Sequence, residues 1–212
     1  MIIDCISDLH GKLPELEGGD LLIIAGDIQG SKGIMDLESF FNWVQAQSYR
    51  KKVAIAGNHD TILQADGFAV NNFAQCGVDY LFDSSTEFEG LKIFGSPWSL
   101  WFHGVNPHCK AFMTSENELI RKYQLIPEDT NILVTHTPAY GSLDQLDEGK
   151  LVGSLALKDR IMQLRQLDLH VCGHIHEARG RITTPHKPIQ INASILDENY
   201  LRYAYPIERV IL

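Results

Sequence analysis

Residues 169–177, LHVCGHIHE, run an apolar stretch into two histidines one residue apart. Side chains two apart on a strand share a face, and beyond its end the backbone can turn both rings toward one centre. Imidazole is the commonest side-chain metal ligand. His174 and His176 therefore suit a metal, although two loop histidines, or a ring bonded to a nearby carbonyl, would leave the same trace. Four other stretches end alike: MIIDCISDLH in Asp8 and His10, DLLIIAGD in Asp27, KKVAIAGNHD in Asn58, His59 and Asp60, and TNILVTH in His136. Taken singly, an Asp after a strand caps a turn and GNHD makes a tight glycine turn. That explanation weakens when all five endings carry carboxylate, imidazole or amide. Mixed oxygen and nitrogen donors suit divalent Mn, Fe, Ni, Co or Zn better than Ca. Five of the nine histidines sit at these endings, so His103, His108, His170 and His186 are given no metal role.

The endings need strands to carry them, and each follows a short run rich in Ile or Val. Between the runs lie helix-like stretches. DLESFFNWVQAQ gathers Leu37, Phe40, Phe41 and Val44 on one face behind Asp36 as N-cap. SENELIRKYQLI gathers Leu119, Ile120, Tyr123 and Ile126 behind Ser115, with Glu118 at capping-box spacing. GSLALKDRIMQLRQLD repeats the pattern with Leu157, Ile161, Leu164 and Leu167. Strands alternating with helices predict a layered α/β domain, with ligands beyond the carboxyl ends of the strands. The five endings should then meet on one rim. RGRITTP, KPIQINAS and YPIERVIL read as consecutive strands, which predicts a second, more antiparallel sheet packed on the first.

At 212 residues the chain suits a single domain, 1–212. A formal net charge of −9 argues against an extended nucleic-acid partner, because phosphate-backbone affinity rests on Lys and Arg. It does not exclude a small phosphorylated substrate drawn to bound metal. The four cysteines are scattered without a CxxC, which fits a reducing compartment. The first ten residues lack a basic n-region, and the longest apolar run, LLIIA, is far below a membrane span. These features predict a cytoplasmic protein without a signal peptide or membrane contact, and leave its oligomeric state open.

In order, DLH, GD, GNHD, VTH and GHIH resemble the five-block signature of the calcineurin-like metallophosphoesterase superfamily, spanning Asp8 to His176. IAGNHD, GSPW, a following WF, GHIHE and INAS resemble the metallophosphoesterase-domain-containing branch more closely. The resemblance implies two mixed β-sheets packed as a sandwich and flanked by helices. It also implies two divalent transition-metal ions, Mn foremost. Asp8, His10, Asp27 and His176 would hold one ion, and Asp27, Asn58, His136 and His174 the other, with a hydroxide between the metals attacking phosphorus. His174 and His176 would then serve different metals. His59 resembles the family's catalytic histidine, which protonates the leaving oxygen or stabilises phosphoryl charge. Asp60 either holds the His59 ring as part of the catalytic pair or stabilises the turn.

Phosphoprotein phosphatases resemble one another in GDxVDRG, whose arginine grips the phosphoryl group. GDIQGSKG has none. The substrate expected is thus a small phosphodiester, cyclic nucleotides among the candidates, with Asn58 and His59 also touching it. In GSPWSLWFHGVNPH, Trp98 and Trp101 are either a platform for a nucleobase or the packing of a long connection. Asn192 either faces the site or makes a strand-end hydrogen bond. A small-molecule phosphomonoesterase, and a low-turnover nucleotide-binding or scaffold protein on the same fold, are the alternatives. The five blocks lack none of the expected ligands, which favours an active enzyme.

Overall fold

A computed structural model describes residues 1–64, 68–102, 109–185, 188–201, 203 and 206–212. Both faces of its main strands are covered, which is why they read as continuous apolar runs rather than alternating ones. Strands β1 (Ile2–Ile6), β2 (Gly19–Ala25), β3 (Tyr49–Ile55) and β4 (Asp79–Tyr80) pair in parallel, and β13 (Glu208–Ile211) runs antiparallel to β1 at the edge. The second sheet has the order β11 (Gly180–Ile182), β12 (Ile189–Asn192), β10 (Leu169–Cys172), β9 (Ile132–Thr135), β6 (Leu91–Ser96), β5 (Ser84–Phe88). Its four inner strands are parallel, and both edge strands are antiparallel to their neighbours. Two short strands, β7 (Ser99–Leu100) and β8 (Met113–Thr114), pair separately. The helices are α1 (Ile34–Gln45), α2 (Phe68–Gln75), α3 (Glu116–Tyr123) and α4 (Leu155–Gln163).

Alternation along each strand divides the core into three layers. Ile3, Cys5, Leu21, Ile23, Val53 and Ile55 point between the sheets and meet Ile93, Ile132, Val134, Leu169, Val171 and Ile191. Their neighbours Leu22, Ile24 and Ala54 turn outward to Leu37, Phe40 and Val44 of α1 and Phe73 of α2. On the far side Phe94 and Leu133 pack under Leu119 and Tyr123 of α3 and Leu157 of α4. The result is the helix-flanked sandwich of two mixed sheets that the sequence predicts. The sheets join at the rim where their strands end, through Ser7 N–H to Ala193 O (2.9 Å) and Ile195 N–H to Ser7 O (3.1 Å).

Three details differ from the sequence reading. The C-terminal strands do not make a sheet of their own: β11 and β12 complete the second sheet, and β13 closes an edge of the first. Helix α1 starts two residues before Asp36, whose Oδ2 instead accepts from Gly30 N–H (3.0 Å) and Lys32 N–H (2.8 Å) of the preceding loop. Ile120 is exposed rather than packed. Helix α2 and the β5–β6 hairpin go unpredicted, since neither ends in the carboxylates or imidazoles that mark the other elements. The cap at Ser115 is as expected, its Oγ accepting from Glu118 N–H at 3.3 Å. Ser154 caps α4 in the same way and donates to Glu116 of α3, which ties the two helices together.

His170 lies buried on β10. Its Nε2 is 2.8 Å from Thr135 Oγ1, whose own hydrogen goes to Thr137 O, so the ring donates from Nε2. Burial pushes its pKa down to about 4. The unfolded chain therefore takes up a proton below its ordinary histidine pKa that the fold refuses until pH 4. Denaturant titrations of wild type and His170→Gln should diverge in slope over that interval. Wild type should lose about 1.4 kcal/mol more stability per pH unit as pH falls, and equal slopes would remove the assignment.

Candidate metal centre

The strand endings meet because four of their residues take left-handed backbone: Asp8 (φ 57°), His10 (φ 43°), Asp27 (φ 53°) and His174 (φ 71°). This conformation is uncommon and costly for residues other than glycine, and it persists only where neighbours enforce it. Here Asp8 N–H donates to Gly26 O and His10 N–H to Asp27 O, both at 2.9 Å, while His174 N–H donates to the Asp8 carboxylate at 3.0 Å. Two glycines admit the crowding. A Cβ on Gly57 would lie 2.3 Å from Asp27 Oδ1, and one on Gly173 would lie 2.2 Å from Asp8 Oδ2.

Asp27 is the centre of the arrangement. Its Oδ1 accepts from His59 N–H at 2.8 Å, which aims Oδ2 at three imidazole Nε2 atoms: His136 at 3.3 Å, His10 at 3.8 Å and His59 at 3.9 Å. On one side Asp8 Oδ1 stands 3.3 Å from His176 Nε2. On the other, Asn58 Oδ1 stands 3.0 Å from His136 Nε2, and its Nδ2 is held by Cys109 O at 3.2 Å. Three overlapping donor groups result, Asp8–His10–His176, His10–Asp27–His59 and Asp8–Asp27–His136, each with its ligand atoms within 4.8 Å of one another.

These residues fit a metal. His10 Nε2 is buried without a hydrogen-bond partner, 3.8 Å from the Asp27 carboxylate. His136 and His176 each turn Nδ1 to a backbone carbonyl, Ala25 O at 2.8 Å and Asp197 O at 2.9 Å. Such a bond fixes the tautomer whose Nε2 lone pair points inward. Ser194 Oγ lies 2.7 Å from Asp8 Oδ2 and 2.8 Å from Asn192 Oδ1, which orients the Asp8 carboxylate from behind.

The electrostatics of these side chains show why cations suit the place. Burial alone would raise Asp8 and Asp27, but facing imidazoles, chiefly His176 for Asp8 and His136 for Asp27, hold both well below the usual carboxylate range. Burial likewise disfavours the charged forms of His136 and His176, yet Asp27 and Asp8 lift them to about 9. Burial dominates at His10 and His174, pushed down to about 4 and about 3. Protons on these two rings balance the carboxylate pair, and a divalent cation bound by the Nε2 atoms would displace them.

Not every expected residue joins the cluster. The His174 ring stands beside His136, 5.1 Å between centroids, and outside the three donor groups. Asp60 does not meet the His59 ring: its oxygens accept from Gln29 N–H (2.7 Å) and Gly57 N–H (2.8 Å), the turn-stabilising contact. Burial and Asp27 push Asp60 up to about 7. Trp98 donates to Asp83 at 2.8 Å and packs with Phe82 and Phe112, away from the site. Trp101 lines the cleft beside it. Asn192 is buried, donating to Leu143 O and Ile175 O, so its bonds are those of a strand end. His103 and His108 lie outside the described residues. Sequence reasoning missed Tyr200, whose ring lies 4.4 Å from that of His10 and 4.9 Å from that of His176. It also missed Ser194 and Asp197. Ser194 closes the INAS run and was within reach; Tyr200 and Asp197 follow no strand.

A helix-flanked double sheet with carboxylates and imidazoles meeting at its rim defines a metal-dependent phosphoesterase architecture. Residues 1–178 match the family model for calcineurin-like phosphoesterases, and the chain belongs to that family. Among curated proteins it is similar to human metallophosphoesterase domain-containing protein 1, 30% identical over 96% of this chain and 68% of the human one. A UPF0046 protein of Caenorhabditis elegans is 32% identical over 95% of this chain and 77% of its own. The solved structure of TT1561 from Thermus thermophilus shares the fold, with TM-score 0.63 and 16% identity over 99% of this chain and 97% of that one.

The Ser194 hydroxyl holds Asp8 without itself belonging to a donor group, so its removal isolates the outer support. Ser194→Ala should weaken Mn(II) binding about 10–100-fold in a titration followed by electron paramagnetic resonance, and Asp27→Asn should weaken it further. Binding undisturbed by Asp27→Asn would remove Asp27 from the centre.

Proposed function

We propose that this protein hydrolyses a small phosphodiester at a dinuclear centre, with Mn the foremost metal. The observation that carries the reading is the position of Asp27 Oδ2, faced by three imidazoles, between an Asp8–His176 pair and an Asn58–His136 pair. By family resemblance Asp8, His10, Asp27 and His176 hold one ion, and Asp27, Asn58, His136 and His174 the other. Bound there, divalent ions supply Lewis acidity toward phosphoryl oxygens and a water of lowered pKa.

The chain's own groups do the rest. Asp27 presents two oxygens and so can serve both sides. Asn58 is neutral and leaves the centre more electrophilic than a carboxylate would. His59 is half-buried, lines the cleft and stands 3.9 Å from Asp27 Oδ2, within reach of a phosphoryl group bound beside Asn58. It is placed to give a proton to the departing ester oxygen. Among the described residues no arginine lines the cleft, which supports a monoanionic diester over a dianionic monoester. Four cysteines that form no disulfide support a cytoplasmic setting, and among the described residues no helix is long and apolar enough to cross a membrane.

Chelation should abolish diester hydrolysis, and Mn(II) should restore it. An acid contributes most where the leaving group is poorest, typically about 10²–10⁴-fold. His59→Asn should therefore slow a ribose or alkyl diester far more than a nitrophenyl diester while metal content stays constant. Rates plotted against leaving-group pKa should diverge from wild type. Parallel lines would remove the acid role, and a preference for monoesters would replace diesterase with monoesterase.

A further inference from the structure

The donor groups occupy only one end of a cleft of about 820 Å³. Asp27, Asn58, His59, His174 and His176 line that end, and beyond them the wall is mostly apolar. Leu100, Trp101 and Phe102 come from β7 and the residues after it; Leu146 and Leu151 come from the segment between β9 and α4, and Leu155 opens α4. Three of these side chains are open to solvent, Trp101 at 43%, Leu151 at 36% and Leu155 at 52%. Clustered exposed apolar groups continuous with a reactive centre mark a ligand groove.

The wall is built, not incidental. Asp144 Oδ2 accepts from Gly141 N–H (3.1 Å) and Gly153 N–H (2.8 Å), cinching both ends of the segment. Within it Leu146 N–H donates to Lys150 O at 2.9 Å and Val152 N–H to Asp144 O at 3.1 Å. Ser154 and Glu116, the polar groups nearest α4, are already bonded to each other and to Leu157 and Ala156 N–H. The backbone thus satisfies itself while its leucines face an open cleft rather than the core.

We propose that this wall binds the organic group of the diester, and that the group is an alkyl or aryl chain rather than a nucleobase. The proposal rests on the phosphodiesterase reading above and narrows its substrate class. A base carries several donors and acceptors that lose water on binding and need partners. Leu100, Leu146, Leu151 and Leu155 offer none, and the cleft's polar side chains, Glu116, Tyr140, Glu148, Lys150, Glu177 and Tyr200, make the smaller share of its surface. A hydrocarbon gains by leaving water there, about fourfold in affinity for each methylene fully buried.

Binding of non-hydrolysable analogues tests this independently of turnover. Calorimetric Kd values would be measured for Mn-loaded protein with methylphosphinates, in which CH2 replaces the cleavable ester oxygen, standing for the methyl, butyl and octyl esters and for the thymidine 5′-ester. Affinity should rise roughly two- to fourfold per methylene from methyl to butyl, and the octyl analogue should bind more tightly than the thymidine analogue. Leu151→Asp and Leu155→Asp, both at exposed positions, should flatten that gradient. A flat series in wild type, tighter binding of the thymidine analogue, or a gradient that survives both substitutions would overturn the assignment. A flat series together with a self-association that Leu155→Asp abolishes would overturn it in favour of a second copy of this chain. Failure of the parent reading looks different: no nitrophenyl diester is hydrolysed by metal-loaded protein, whatever the gradient in Kd.

Discussion

A buried carboxylate that must stay ionised organises this protein, and it belongs to Asp27. Burying a charge is costly unless it is paired and hydrogen-bonded. Asp27 meets that demand with the His59 amide on one oxygen and three imidazoles around the other. The imidazoles come from both sheets: His10 and His59 follow strands of the first, and His136 follows a strand of the second. Balancing one charge therefore requires the two sheets to meet at a fixed offset. The left-handed turns at Asp8, His10, Asp27 and His174 are the backbone cost of bringing strand ends that close.

The supporting groups follow from the same demand. Gly57 and Gly173 are small because carboxylate oxygens occupy the space where a Cβ would sit. Asp60, although acidic and adjacent, bonds the turn that carries Asn58 and His59. Ser194 stands behind Asp8, its hydroxyl within reach of the Asp8 carboxylate and of Asn192 Oδ1. A ligand-rich centre on this scale needs more residues to hold donors than to donate.

Much of this was legible in the sequence, for a physical reason. A residue that directly follows a parallel strand is placed by that strand, so five strand endings announced one rim. The reading failed where placement depends on distant chain. Tyr200 reaches the histidines from a loop that follows no strand. Trp98 was open to two readings, platform or packing, and it packs because Asp83 and Lys122 claim it from segments not adjacent in sequence. Asp36 carried the signature of a helix cap, but its carboxylate found loop amides first. Helix α2 buries Ala69 and Phe73 without a charged first turn, so periodicity had little to work with.

The bond from Ser194 to Asp8 spans 186 positions, and the one from His174 N–H to Asp8 spans 166. During synthesis the first metal-binding block leaves the ribosome long before either partner exists. β1 finds one partner early in β2, but its edge partner β13 follows every other strand in the order of elements. Contacts this remote place the molecule among slowly folding, high-contact-order topologies. A nascent or truncated chain consequently carries the early ligands without the scaffold that aims them. Aiming the early donors therefore waits on strands of the second sheet, so the order of the blocks along the chain sets when the centre can be assembled.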